Sequence, residues 1–310
     1  MKRFLLFVFS LILTYFILVF GAKLIWAQYL PKSLNRDFIP PDVHTIVIGA
    51  SNGECSWDDS IITWTKNLCS SGFTNLDAYY ELQYCLDYNT VRIDTVILCQ
   101  SLLNFLLYED EYFYDKKTII GSEPRALLDY EKFYETYRNC ADYFKTQISS
   151  VRWIKSLLSN PYGKGFLHLQ RNKMTPPDFS NIKNALMKYG DYDGFTSERI
   201  REHCSLQIDW LESIRDLCRD NGITLILYSA PVYRVSDMVN DGGYYKLLGE
   251  VLSEETLVAD YSRFEMPGLL YYADPAHLNY KGAQLFSSHI ASNGIDLHPI
   301  SYYLSLDTDS

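Results

Sequence analysis

The sequence predicts an α/β domain built on a parallel sheet with helices on both faces. Three observations carry that expectation. Short, continuous apolar runs such as His44–Gly49 (HTIVIG), Asp94–Cys99 (DTVILC) and Ile223–Tyr228 end at small residues, as strands buried on both faces do. Stretches of helical period alternate with those runs, as at Asn75–Tyr88 and Ser197–Asp220. Of the 310 residues 47% are apolar and 15% aromatic, enough for a sizeable core and unlike a disordered chain.

The chain opens with Lys2-Arg3 and then Phe4–Ala22, an uncharged, almost wholly apolar stretch of 19 residues. That length suits a helix crossing the hydrocarbon core, and the absence of a polar face argues against a core helix. Ala27 after Ile25-Trp26 is a mediocre cleavage site, and the run is longer than a usual signal-peptide core. An uncleaved anchor over residues 1–27 is therefore expected in preference to a cleaved signal. The basic leader places the body outside the cytoplasm. Residues 28–43, with Pro31, Pro40 and Pro41, read as an extended linker.

The domain proper is expected over 44–298. Its first strand is His44–Gly49, followed by a helix starting at Ser51 and reaching Ser60. A second strand is expected over Ile61–Cys69, closed by Ser70-Ser71-Gly72, then a helix Asn75–Tyr88 capped by Asn75, then the strand Asp94–Cys99. From Leu102 to about Arg199 the alternation stops. Residues 105–199 are set apart as an insertion, with Tyr- and Phe-rich helices over Pro124–Leu158 and irregular chain over Asn160–Gly194. The alternation resumes with one helix, Ser197–Asp220, stopped by Asn221-Gly222. Ile223–Tyr228 is the fourth strand, Tyr244–Ser253 a helix, Leu257–Tyr261 a short fifth strand and Asn279–Ala291 the closing helix. Residues 299–310 are left as a tail.

A net charge of −10 with no compensating basic stripe excludes a nucleic-acid backbone as the main partner. The acidic run Glu109-Asp110-Glu111 reads as a solvated loop face rather than a cation site. The seven cysteines form no C-x-x-C pair and no Cys/His cluster with zinc spacing; Cys69 and Cys99 close apolar runs, as buried thiols do. Gly163-Lys164-Gly165 lacks the strand and helix of a phosphate loop. No metal or organic cofactor is expected.

Two segments carry chemistry. In Gly49-Ala50-Ser51-Asn52 a serine stands at a strand-to-helix turn, where its hydroxyl is exposed at the carboxyl edge of the sheet. Taken alone, a serine there is more often a plain helix N-cap. In Asp274-Pro275-Ala276-His277 an aspartate three residues ahead of a histidine can orient the imidazole and leave its other nitrogen for a nucleophile's proton. His44, His168, His203, His289 and His298 have no such companion and read as structural.

Together these segments resemble the SGNH (GDSL-like) hydrolase superfamily. Its first block, Gly-Asp-Ser, is matched by Gly49-Ala50-Ser51, with Ala50 in place of the Asp. Its second block is matched by Asn67-Leu68-Cys69-Ser70-Ser71-Gly72, and its last by Asp274 to His277 with Leu278-Asn279 and Gly282. The third block, Gly-x-Asn-Asp, has no counterpart in Cys99-Gln100-Ser101-Leu102-Leu103-Asn104. The resemblance covers roughly residues 44–104 and 200–292. It implies a three-layer, flavodoxin-like parallel sheet, with Ser51 as nucleophile, His277 as base and Asp274 behind it. It also implies an oxyanion hole from the backbone N–H groups of Ser51 and Gly72, with Asn104, Gln100 or Ser101 standing in for the third-block Asn.

Anchored members of this superfamily often add or remove acyl groups on surface polysaccharides. The resemblance thus implies an esterase acting on O-acylated carbohydrate or lipid esters at the cell envelope. An O-acyltransferase component using the same residues, and a catalytically silent anchored module, are the alternatives. The expected partners are a glycan ester and the membrane; the sequence names no protein partner.

Overall fold

The computed structural model describes residues 39–107, 196–233 and 242–307, with Asp110 and scattered positions between 7 and 21. Most of the expected anchor and linker and nearly all of the insertion lie outside the described residues. The positions described between 7 and 21 are helical, and Phe7, Phe9, Leu13, Ile17 and Leu18 among them are exposed. Among the described residues, no helix is long and apolar enough to cross a membrane.

Six strands form a central sheet: β1 (Thr45–Gly49), β2 (Thr65–Asn67), β3 (Thr95–Cys99), β4 (Thr224–Ser229), β5 (Leu257–Asp260) and, last in the chain, β8 (His298–Pro299). Their spatial order is β2-β1-β3-β4-β5-β8, parallel except for β8, which pairs antiparallel with β5. Between β5 and β8 comes a separate antiparallel pair, β6 (Tyr272–Asp274) and β7 (His277–Leu278).

Each strand's side chains alternate between two cores. Ile46, Ile48, Val96, Leu98 and Leu227 face one core, which is covered by α2 (Asn75–Tyr88), α5 (Ser205–Asp220) and α6 (Gly242–Val251). Val47, Ile97, Cys99, Ile226 and Tyr228 face the other, beneath Trp57 and α7 (Tyr280–Asn293). The result is three layers with the flavodoxin-like strand order 2-1-3-4-5. Winding reverses between β1 and β3, and a crevice opens at the carboxyl ends of strands where winding reverses.

Five local expectations need correction. β2 begins at Thr65 rather than Ile61, because Ile61 and Ile62 donate to the Asp58 carbonyl in a turn and Thr65 donates back to Ile62. α2 is capped by Thr74, whose N–H and hydroxyl bond the Asp77 carboxylate, while the Asn75 amide crosses to the Gln207 carbonyl on α5. The helix expected over Ser197–Asp220 is two, α4 (Ser197–His203) and α5, broken at Cys204. Asp110 makes the break: its carboxylate accepts the Ser205 N–H and hydroxyl and the Leu206 N–H, capping α5 from across the chain. Asp110 is therefore not part of a merely solvated face. Lastly, residues 298–307 are no loose tail. They supply β8 and α8 (Ile300–Asp307), with Ile300 fully buried and Tyr303 stacked on Tyr245. The expected insertion opens as a helix, α3 (Leu102–Leu107), whose Phe105 enters the first core.

Candidate active site

The site is built at the end of β1. Gly49 has φ 126°, and a Cβ there would stand 2.7 Å from the Cys99 carbonyl oxygen, so only glycine lets β1 turn so close beside β3. Ala50 is extended and serves as the N-cap of α1 (Ser51–Ser56) without a side-chain bond. Ser51 is thus the first helical residue and not a cap. Its hydroxyl goes elsewhere: Oγ lies 2.7 Å from Nε2 of His277.

Asp274 and His277 close the β6–β7 hairpin. The Asp274 carboxylate accepts the Ala276 N–H at 2.9 Å, making the tight turn, and faces His277 Nδ1 at 2.8 and 3.0 Å. A carboxylate there requires Nδ1 to carry the proton, which leaves Nε2 as acceptor for the Ser51 hydroxyl. Burial pushes the Asp274 carboxyl up, but the hydrogen bond and charge of His277 and the N–H groups of Ala276 and His277 outweigh it and hold it below the usual range. The sequence-predicted Ser51, His277 and Asp274 are therefore brought into one hydrogen-bonded line.

Neighbouring residues fix that line. Asn52 donates from Nδ2 to the Ala276 carbonyl at 3.0 Å, tying the hairpin to the serine's own helix. Tyr233 N–H donates to the Pro275 carbonyl. Asn279, fully buried, caps α7 through Lys281 and Gly282 and donates to the Leu270 carbonyl. Asn67, also fully buried, donates to the carbonyls of Gly53 and Trp57 and accepts from the Cys69 N–H, bracing α1 on β2.

Gly72 sits in the turn after β2 with φ 80°. The two residues before it fasten that turn: Ser70 N–H donates to the Gly49 carbonyl, and the Ser71 hydroxyl makes a short hydrogen bond to Glu54. Glu54 lies one helical turn after Ser51 and is buried. Its carboxyl is pushed up to about 7 by burial, against the lowering influence of Ser71 and His277.

The stand-ins for the third block are placed differently. Asn104 spends its carboxamide oxygen on the Ser101 N–H and hydroxyl, opening α3, and no bond joins it to Ser51 or His277 among the described residues. Gln100 is buried at the end of β3, and its Nε2 is left without a partner among the described residues. On and beneath α1, burial pushes the Cys55 and Cys69 thiols up and Cys99 up to about 12, which disfavours the reactive thiolate. Among the described residues no three His, Cys, Asp or Glu side chains converge as metal ligands.

Asn52, Glu54 and Ser71 were not legible as site residues. Their one sequence signal is spacing: Asn52 adjoins Ser51, Glu54 follows it by one turn, and Ser71 precedes the predicted oxyanion glycine. No protein-family model, curated protein or solved structure matches the chain.

Proposed function

We propose that the chain is a serine-dependent acyl-ester hydrolase of the SGNH (GDSL-like) kind, with O-acylated carbohydrate or lipid esters of the cell envelope as substrates. The observation that carries it is the line Ser51 Oγ–His277 Nε2 at 2.7 Å and His277 Nδ1–Asp274 at 2.8 Å, at the carboxyl edge of a parallel sheet. The nucleophile, the base and the group orienting the base are all within hydrogen-bond reach. The envelope assignment rests on the apolar stretch Phe4–Ala22 with its basic leader, and the substrate class on the resemblance of the sequence blocks.

In this mechanism the Ser51 hydroxyl attacks the ester carbonyl carbon and passes its proton to His277 Nε2. Asp274 stabilises the imidazolium without taking a proton. The developing oxyanion is met by the backbone N–H groups of Ser51 and Gly72. His277 then protonates the departing alkoxide, leaving an acyl group on Ser51. Water, deprotonated by His277, attacks that acyl carbon and frees the carboxylic acid and the serine. A sugar hydroxyl in place of the water turns the same second step into acyl transfer.

The test is covalent labelling of the full-length chain by a fluorophosphonate, with mass-spectrometric mapping, alongside turnover of an aryl acetate and an acetylated sugar. The expected result is one label, on Ser51, and ester turnover that Ser51→Ala removes. Turnover only when a sugar acceptor is added marks a transferase. No label and no turnover with any acceptor marks a silent module.

A further inference from the structure

We propose that Glu54 is a positioning residue whose buried carboxylate holds the Ser71–Gly72 turn against the nucleophile's helix, setting the Gly72 N–H where the oxyanion forms. The proposal rests on the hydrolase reading above and names a part of that machinery outside the Ser-His-Asp line.

The geometry is specific. Glu54 points inward from α1, 4% exposed, and the Ser71 hydroxyl donates to its Oε2. Ser70 is meanwhile bonded to the Gly49 carbonyl. Two consecutive residues are thus gripped, one by the strand before Ser51 and one by the helix after it. Gly72 is the next residue and has no side chain of its own to hold it. Its left-handed φ of 80° with open space around Cα leaves it dependent on those grips.

The surroundings argue against a purely structural carboxylate. The titratable groups that act on Glu54 are Cys55 on its own helix, Cys69 after β2 and His277 on the hairpin; Cys99 ending β3, Glu81 on α2 and Asp274 on the hairpin act in turn on those two thiols. Of these only His277 can carry positive charge, and it already serves Asp274. A buried carboxylate with no lysine or arginine among these groups is disfavoured by desolvation, which is why its proton is held up to about 7. A glutamine fills the same volume and accepts the Ser71 hydroxyl without that cost. What the carboxylate adds is a charge-assisted grip on the Ser71 hydroxyl, stronger than an amide oxygen's, and negative potential beside the imidazole. The requirements of stability and of function therefore oppose each other at this position.

That opposition supplies the experiment. The full-length wild type, Glu54→Gln and Ser71→Ala are compared in mild detergent for melting temperature at pH 8 and pH 5, for kcat and KM on an aryl acetate, and for fluorophosphonate labelling. Expected is a Glu54→Gln protein that melts higher than wild type at pH 8, an advantage that shrinks toward pH 5. Its kcat should fall roughly 10- to 100-fold with KM little changed, because a displaced oxyanion donor acts on the transition state. Ser71→Ala should lose a similar factor in kcat, and the double variant little more than either single one. Wild-type kcat in either variant, or a Glu54→Gln protein that melts lower than wild type at pH 8, overturns the proposal while the hydrolase reading stands. A wild type that neither labels nor turns over ester overturns both.

Discussion

At the scale of single residues the proposed hydrolase site divides into groups that react and groups that hold. Ser51→Ala should abolish ester turnover, and His277→Ala should come close. Asp274→Asn should lower kcat on the order of 10⁴-fold, the loss seen when a triad imidazole takes the wrong tautomer. The three losses should be strongly non-additive in a double- and triple-mutant kinetic series. The two carboxyls of the site have opposite pH signatures. Asp274 is held below the ordinary range when folded, so its contribution to stability is present above the unfolded value and is lost as pH falls through the lowered one. Glu54 is raised from 4.5 to about 7, so the folded protein holds its proton more tightly than the unfolded chain does. Stability then declines as pH climbs from about 4.5 to about 7 and is flat beyond, a cost on the order of 3 kcal/mol. Urea unfolding of wild type from pH 5 to pH 8 should show that decline, and Glu54→Gln should abolish it. Ser51 and His277 were legible because each stands where a pattern ends, beside a recognisable companion. Glu54 was not: no motif or companion in the sequence marks it, and only the approach of the β2–α2 turn makes it buried.

At the scale of elements, α1 is held by what is missing from it as much as by what is present. A Cβ on Gly53 would stand 2.5 Å from the Cys69 sulfur and 3.0 Å from the Cys99 Cβ. Gly53→Ala should therefore lift the helix off the strand ends, costing about 1–3 kcal/mol by overpacking and slowing fluorophosphonate labelling of Ser51. Asn67→Ala takes the side-chain partner from the Trp57 carbonyl and the Cys69 N–H, while the Gly53 carbonyl keeps the Trp57 N–H, at about 1–3 kcal/mol for a buried group so stranded, and urea titration of that variant should show it. The sequence located α2 over Asn75–Tyr88, because its period and its length were both sufficient, but set the cap one residue late, on Asn75 in place of Thr74. It misjudged Ser197–Asp220 because the apolar period runs on through Cys204. The break is tertiary, made by Asp110 far back in the chain. It misjudged β2 because Ile61-Ile62-Thr63-Trp64 has the composition of a strand, whereas the chain spends those residues turning under Trp57.

For the whole molecule, strand composition and alternation were enough to predict a parallel sheet with two covered faces. The order of the strands was not contained in them. It entered with the resemblance, through the position of Ser51 after β1 and of Gly72 after β2. The closing elements were invisible for a simpler reason: a two-residue strand has no period to detect, and α8 is short. They nonetheless finish the sheet beyond β5, with the Ile300 N–H on the Thr256 carbonyl and its side chain in the first core. Ile300→Ala should cost about 2–5 kcal/mol, measurable as a lowered melting temperature, although it lies far along the chain from the reacting groups.

The bond from Asp110 to the start of α5 has one more consequence, concerning how such a chain can change over generations. It places the point where the polypeptide leaves the sheet domain beside the point where it returns: Asp110 touches Ser205 and Leu206, and the short helix α4 is all that separates those from Thr196. A segment whose two ends lie within the span of one short helix can be lengthened, exchanged or cut out without rethreading any strand, because the closure entropy changes slowly with loop length. Replacing residues 111–195 with a bridge of about six Gly and Ser residues, a span set by the rise of α4, should leave a domain that still unfolds cooperatively and still labels at Ser51. Under the proposed function its choice among esters is then free to differ from that of the intact chain, as expected of a cassette exchanged on a fixed reactive frame.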